Sequence, residues 1–211
     1  MCMRVTVSDA ADEAGVTTHQ VRVALRDGTL QAQHTFGREP VLDDIAVIAW
    51  KRSRSRGRRW SPRATQAALD LLSTGTTTKF TGSELSRLRR VLRTATPNHL
   101  AYLAAGLGGT WARYRALETV KGLDPIGPSA ASDIIRFDIA GRRKMSFAEV
   151  EDLNEFETRT LVATDGDGDL GVVERRPDRR IARVLLDTYL LGDSRESSAA
   201  AQALIERARD L

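Results

Sequence analysis

The sequence predicts a mostly α-helical chain with small β elements, and three observations carry that expectation. Apolar residues recur at helical spacing over most of the chain, capping signatures precede those stretches, and strand-like runs are short and flanked by Gly, Pro or Asp-Gly turn signals. With 211 residues, 41% hydrophobic and 28% charged, the chain has the means to bury a core, and its composition excludes wholesale disorder. Cys2 has no second cysteine to pair with, and His19, His34 and His99 are too scattered to join it in a structural zinc site, so no metal or cofactor is expected. No apolar run reaches the ~18–20 residues needed to span a bilayer, and Met1 to Val7 has no signal-like apolar core. A cytoplasmic protein with no membrane role is expected.

Charge is divided unevenly. Residues 1–95 hold 16 Lys and Arg against 9 Asp and Glu, a charge of +7, whereas residues 96–211 hold 16 against 19, a charge of −3. A basic front half suits a polyanion and a mildly acidic back half suits a different partner.

Taken in order, Val5 to Gly28 reads as two short helices joined by a tight turn. Ser8 is the expected N-cap of the first, Val7, Ala11 and Ala14 share its inner face, and Gly15 ends it in the left-handed conformation. Thr17-Thr18-His19-Gln20 is a capping box for the second helix, which turns Val21, Ala24 and Leu25 inward and Thr18, His19, Arg22 and Arg26 outward. An arginine-bearing polar face on a helix of this kind matches what a recognition helix presents to a major groove, although an ordinary solvated helix looks the same in isolation. The continuation favours the groove. Leu30 to Thr35 and Arg38 to Leu42 can pair as strands around Phe36-Gly37, Pro40 limits the second to an edge, and Asp43 or Asp44 caps a third helix with Ile45, Ile48 and Ala49 inward. These elements complete a winged helix-turn-helix over residues 1–50.

The phrases "AADEAGVTTHQVRVALRDGTLQA" and "GREPVLDDIAVIAW" resemble the excisionase-like and MerR-like family of winged DNA-binding domains over roughly residues 5–50. The resemblance implies that Thr18, His19, Arg22 and Arg26 lie on the recognition helix and that His34 and Arg38 lie on the wing.

Residues 51–63 follow as an arginine-rich linker in which seven of thirteen residues are cationic and none is acidic. A flexible Arg/Ser/Gly segment suits phosphate tracking or a narrow minor groove, which adds Lys51, Arg52, Arg54, Arg56, Arg58 and Arg59 to the expected DNA contacts. Trp60 is expected to anchor the next helix. A helical segment spans 64–122: Ser61-Pro62 opens a helix with Ala67, Ala68, Leu71 and Leu72 inward, and Thr81 to Glu84 reads as a capping box for another. The second of these helices turns Leu85, Leu88, Val91 and Leu92 inward and Arg87, Arg90 and Arg93 outward. Further helices are expected at 97–105 and 110–119.

Residues 125–211 read as a small α+β interaction domain. Asp133 to Ile139 is expected as a strand, Arg142 to Met145 as an extended stretch, and Ser146 to Glu149 as a capping box opening a helix through Asn154. Glu157 to Ala163 and Gly171 to Arg175 are expected as hairpin strands around Asp165-Gly166-Asp167-Gly168-Asp169. That loop fails the calcium pattern, with Leu170 where the glycine belongs and Arg176 where a bidentate Glu belongs. Ile181, Val184, Leu185 and Tyr189 mark the next helix, and Ser194 is expected to cap the last.

No catalytic constellation is present, and Gly106, Gly108 and Gly109 lack nucleotide-loop spacing, so an enzyme is not expected. The whole layout, with "SPRATQAALDLLS", "SELSRLRRVLR" and "RRKMSFAEVEDLNEF" in order, resembles actinobacterial antitoxin-type regulators paired with nucleotidyltransferase-like toxins of the abortive-infection class, type IV. That resemblance implies a repressor that binds duplex DNA at its own promoter and neutralises a toxin, or dimerises, through its C-terminal part. A phage or plasmid excision or immunity factor is the alternative.

Overall fold

A computed structural model describes residues 5–36, 39–115, 123–131, 134–135 and 145–211, with the backbone alone at 33–36. The described residues form a mixed α/β structure dominated by helices, as the composition and periodicity suggest. The chain divides into two compact units that interleave in sequence. One comprises Met1–Lys51, Gly109–Pro125 and Arg142–Pro177, and the other Arg52–Gly108, Ile126–Gly141 and Asp178–Leu211. The contiguous block 125–211, expected as one domain, is therefore shared between both, as is the 64–122 segment.

The first unit begins with α1 (Val7–Ala14), whose N-cap is Thr6 rather than Ser8. Thr6 and Asp9 exchange hydrogen bonds in a capping box that places Ser8 inside the first turn. Gly15 ends the helix at φ 63°, a conformation that costs a side-chain-bearing residue more. The Thr17–Gln20 box opens α2 (Thr18–Arg26) as the sequence predicts, and Val21 and Ala24 are buried beneath it with Leu25 half-buried. Strands β1 (Ala32–Phe36) and β2 (Glu39–Leu42) pair antiparallel, with Pro40 opposite Thr35. The expected turn at Gly37 lies outside the described residues.

Helix α3 (Asp44–Arg52) starts where Asp43 accepts hydrogen bonds from the Ile45 and Ala46 amides. Its inner face is Ala46, Val47, Ala49 and Trp50, with Ile45 and Ile48 only half-buried. The helix is rotated from the expected phase because Val47 and Trp50 fill the space between α1, α2 and β2.

A four-stranded sheet completes this unit, in the order β3 (Thr110–Tyr114), β6 (Leu170–Glu174), β5 (Ser146–Val150), β4 (Asp124–Pro125). β5 and β6 are parallel, and the connection between them carries α7 (Leu153–Thr160); both outer pairs are antiparallel. Three expectations are corrected here. Residues 110–114 form a strand and not a helix, because Thr110 to Tyr114 pair along the whole of β6. Ser146 to Glu149 form β5 and not a helix start. Glu149 is buried against Arg175 at 2.7 Å, and the cap of the helix that follows is Asp152, which accepts from the Glu155 amide. Residues 157–160 are helical, so no hairpin closes around the Asp-Gly loop; Asp165 instead hydrogen-bonds to the Arg113 carbonyl and leads into β6. β5 and β6, buried over most of their length, lose the period-two alternation that would announce them. The strand expected at 133–139 and the extended stretch at 142–145 lie almost wholly outside the described residues.

Gly168 has its own requirement. A Cβ there would sit 2.1 Å from the Tyr114 carbonyl oxygen, so only glycine lets the loop cross the end of β3. Beneath the sheet, Tyr114, Phe156, Val162 and Val172 form a core in which the Tyr114 and Phe156 rings meet edge to face at 5.2 Å.

The second unit is helical: α4 (Pro62–Thr74), α5 (Gly82–Thr94), α6 (Pro97–Leu103), α8 (Ile181–Leu191) and α9 (Ser194–Arg209), with a short 3-10 turn at Gly127–Ser129. Ser61 caps α4 ahead of Pro62, and Ala67, Ala68, Leu71 and Leu72 are buried as expected. Thr81 occupies the N-cap of α5 without a side-chain capping bond, so the expected box is not formed. Helix α8 is the centre of this unit. It is buried from Ala182 to Leu191 and packs against α4, α6, α9 and the 3-10 turn. Its polar residues are satisfied internally: Arg183 binds Asp187 and the Gly106 carbonyl, and the Thr188 hydroxyl donates to the Val184 carbonyl. Asp193, with Glu196 in a capping box, starts α9, which moves Ser194 from cap to first helical residue.

Candidate nucleic-acid interface

Helix α2 brings four of the predicted residues together. Thr18, His19, Arg22 and Arg26 are exposed on it, opposite the buried Val21 and Ala24. The arrangement follows from 3.6-residue periodicity and from the cap that fixes where the helix starts. The surface has hydroxyl, imidazole and two guanidinium groups, and so offers donors to phosphates and to base edges alike. The side chain of His34 and the whole of Arg38 lie outside the described residues.

The cations of residues 51–59 separate into different environments. Lys51 pairs with Glu13 of α1 at 2.9 Å, an exposed contact of small energetic weight. Arg52, expected among the DNA contacts, is half-buried, and its Nη1 donates to the carbonyls of Tyr189, Leu190 and Gly192 at 3.1, 2.9 and 2.8 Å. It thereby satisfies the orphan acceptors at the C-terminus of α8. Burial draws its guanidinium down from the ordinary arginine range, opposed by the nearby Tyr189 and Asp193.

Arg54 is half-buried, while Arg56, Arg58 and Arg59 are exposed. The segment is held on α6, in contrast to the flexible linker expected. Ser55 hydrogen-bonds to His99 at 2.8 Å, the Tyr102 hydroxyl donates to the Gly57 carbonyl, and the Trp60 amide donates to the Leu103 carbonyl. The Arg59 guanidinium stands 5.5 Å from the centroid of the Tyr102 ring. His99 and Tyr102 are the residues that sequence reasoning missed, since partners more than forty positions away leave no local signal.

The other titratable clusters join arginines and a lysine to carboxylates. Arg113 on β3 reaches Asp43 and Asp44, both at 3.2 Å, and its Nε donates to the Gly168 carbonyl. Burial pushes the Asp43 carboxyl up, against the lowering effects of the Ala46 amide and Arg113. In the second unit Arg180 joins Asp70 and Asp178, and Lys79 also binds Asp70. Among the described residues no group of three or more His, Cys, Asp or Glu side chains is placed to hold a metal ion, and no helix is long and apolar enough to cross a membrane. Comparison of the chain with protein-family models, with curated proteins and with solved structures found no match in any of the three.

Proposed function

We propose that the protein is a sequence-specific DNA-binding transcriptional regulator, with α2 as its recognition helix. The observation that carries this reading is the exposed set Thr18, His19, Arg22 and Arg26 on a helix anchored by Val21 and Ala24. The order of the first elements supports it: a helix, a tight turn and a second helix, then a β-hairpin and a third helix, is the order of a winged helix-turn-helix. The basic balance of residues 1–95 adds long-range attraction for a polyanion.

The test is selection of bound sites from a random duplex library, followed by titration of Arg22→Ala. If Arg22 reads a base edge, the variant loses about 1–3 kcal/mol on the selected site and little on random duplex. Equal losses on both would make Arg22 a phosphate contact, and no loss on either would remove α2 from the interface.

The resemblance of the whole layout to antitoxin-type regulators supports a further part of the proposal, that the protein represses its own promoter and neutralises a toxin. Full-length protein is then expected to co-purify with the product of its neighbouring gene. Recovery of the chain alone from the co-expressed pair would remove the toxin from this reading and leave the DNA-binding part standing.

A further inference from the structure

We propose that the outward face of α5 is a second surface for the phosphate backbone of duplex DNA, a reading that rests on the DNA-binding function above. Arg87, Arg90 and Arg93 are exposed at three-residue intervals, about 4.5 Å apart along the helix axis, while Leu88 and Leu92 are buried opposite them. The exposed residues of α5 include no aliphatic or aromatic side chain, and its single acid is Glu84 in the first turn.

Two physical arguments select the ligand. A protein partner of ordinary affinity needs buried aromatic or aliphatic anchors, which this face lacks. A phosphate backbone needs only correctly spaced cations, which it has. The arginines are also distinct from those that build the second unit. Arg52 and Arg207 bind main-chain carbonyls, and Arg180 and Arg183 bind carboxylates. Among the described residues the side chains of Arg87, Arg90 and Arg93 have no such partner. Like charges three residues apart repel one another on a helix, and an adjacent row of phosphates relieves that repulsion. In the same unit the exposed Arg56 and Arg58 belong to the segment held on α6, which begins three residues after α5 ends.

The experiment measures binding of the full-length protein to a mixed-sequence 30-base-pair duplex by fluorescence anisotropy over a series of salt concentrations. The triple variant R87Q/R90Q/R93Q keeps helix-forming side chains and removes three charges. Each phosphate contact contributes about −0.9 to the log–log salt slope, so the slope is expected to become shallower by up to about 2.7, with affinity at low salt falling tenfold or more, on the order expected for several lost contacts. R87K/R90K/R93K retains the charges and is expected to stay close to wild type, which separates electrostatic loss from damage to the helix. An unchanged slope in the glutamine variant, with wild type binding normally, overturns the α5 proposal and leaves α2 unaffected. Failure of wild type to bind duplex DNA at low salt overturns both.

Discussion

Arg113→Ala is expected to lower the stability of the first unit by about 3–5 kcal/mol, the usual cost of leaving one member of a buried ion pair without its partner. The Arg113 and Asp43 side chains are 5% and 2% exposed, so water replaces little of what the substitution removes. Asp43 would stay in place because its carboxylate also accepts the Ile45 and Ala46 amides at the start of α3. The pH dependence distinguishes this cause from simple loss of packing. Burial already raises the Asp43 carboxyl above its ordinary 3.8, and Arg113 is one of the groups opposing that rise. A carboxyl raised in the folded state favours folding when protonated, and that contribution is lost as pH rises from the ordinary value through the raised one. Removing Arg113 raises it further. The deficit of the variant relative to wild type should therefore shrink as pH falls from 7 towards 4. Urea unfolding of both proteins across that range checks it, and a deficit independent of pH would assign the loss to packing alone. Arg113→Met combined with Asp43→Asn, which removes both charges, should recover part of the stability at pH 7.

The isolated fragment 125–211 is expected to be unfolded. It holds β5 and β6 but not β3, so β6 loses its antiparallel partner and the core loses Tyr114, which is fully buried. It also holds α8 and α9 without α4, α5 and α6. Leu185, Leu186 and Leu190, each no more than 1% exposed in the chain, would then lose the helices packed over them. Neither part retains a closed core, and exposed apolar area of that extent exceeds what a chain of this length offsets. Far-ultraviolet circular dichroism with thermal scanning is the measurement, and a cooperative transition in the fragment would show that 125–211 carries an independent fold. Cutting at residue 95 separates β3 from α3, and with it Arg113 from Asp43. For this reason functional tests belong on the full chain.

What the sequence determined by itself is local. The Thr17–Gln20 box, Gly15, the Ser61-Pro62 start and the apolar spacing of α2, α4 and α5 are legible because cap and periodicity act within a turn or two of one helix. The exposed α2 residues follow from the same periodicity, so this part of the candidate interface could be read without coordinates. Tertiary structure decided the rest. Thr110 to Tyr114 and Ser146 to Val150 became strands because partners 24 to 64 positions away were present to accept them, and the largely buried β5 and β6 show no alternation. Arg52 ceased to be a free cation because the carbonyls that it caps arrive some 140 residues later, and Ser55 to Trp60 is held by α6 for the same reason. The interleaving of the two units has the same origin: which segments share a core depends on long-range burial of apolar surface, a quantity no window of neighbouring residues contains.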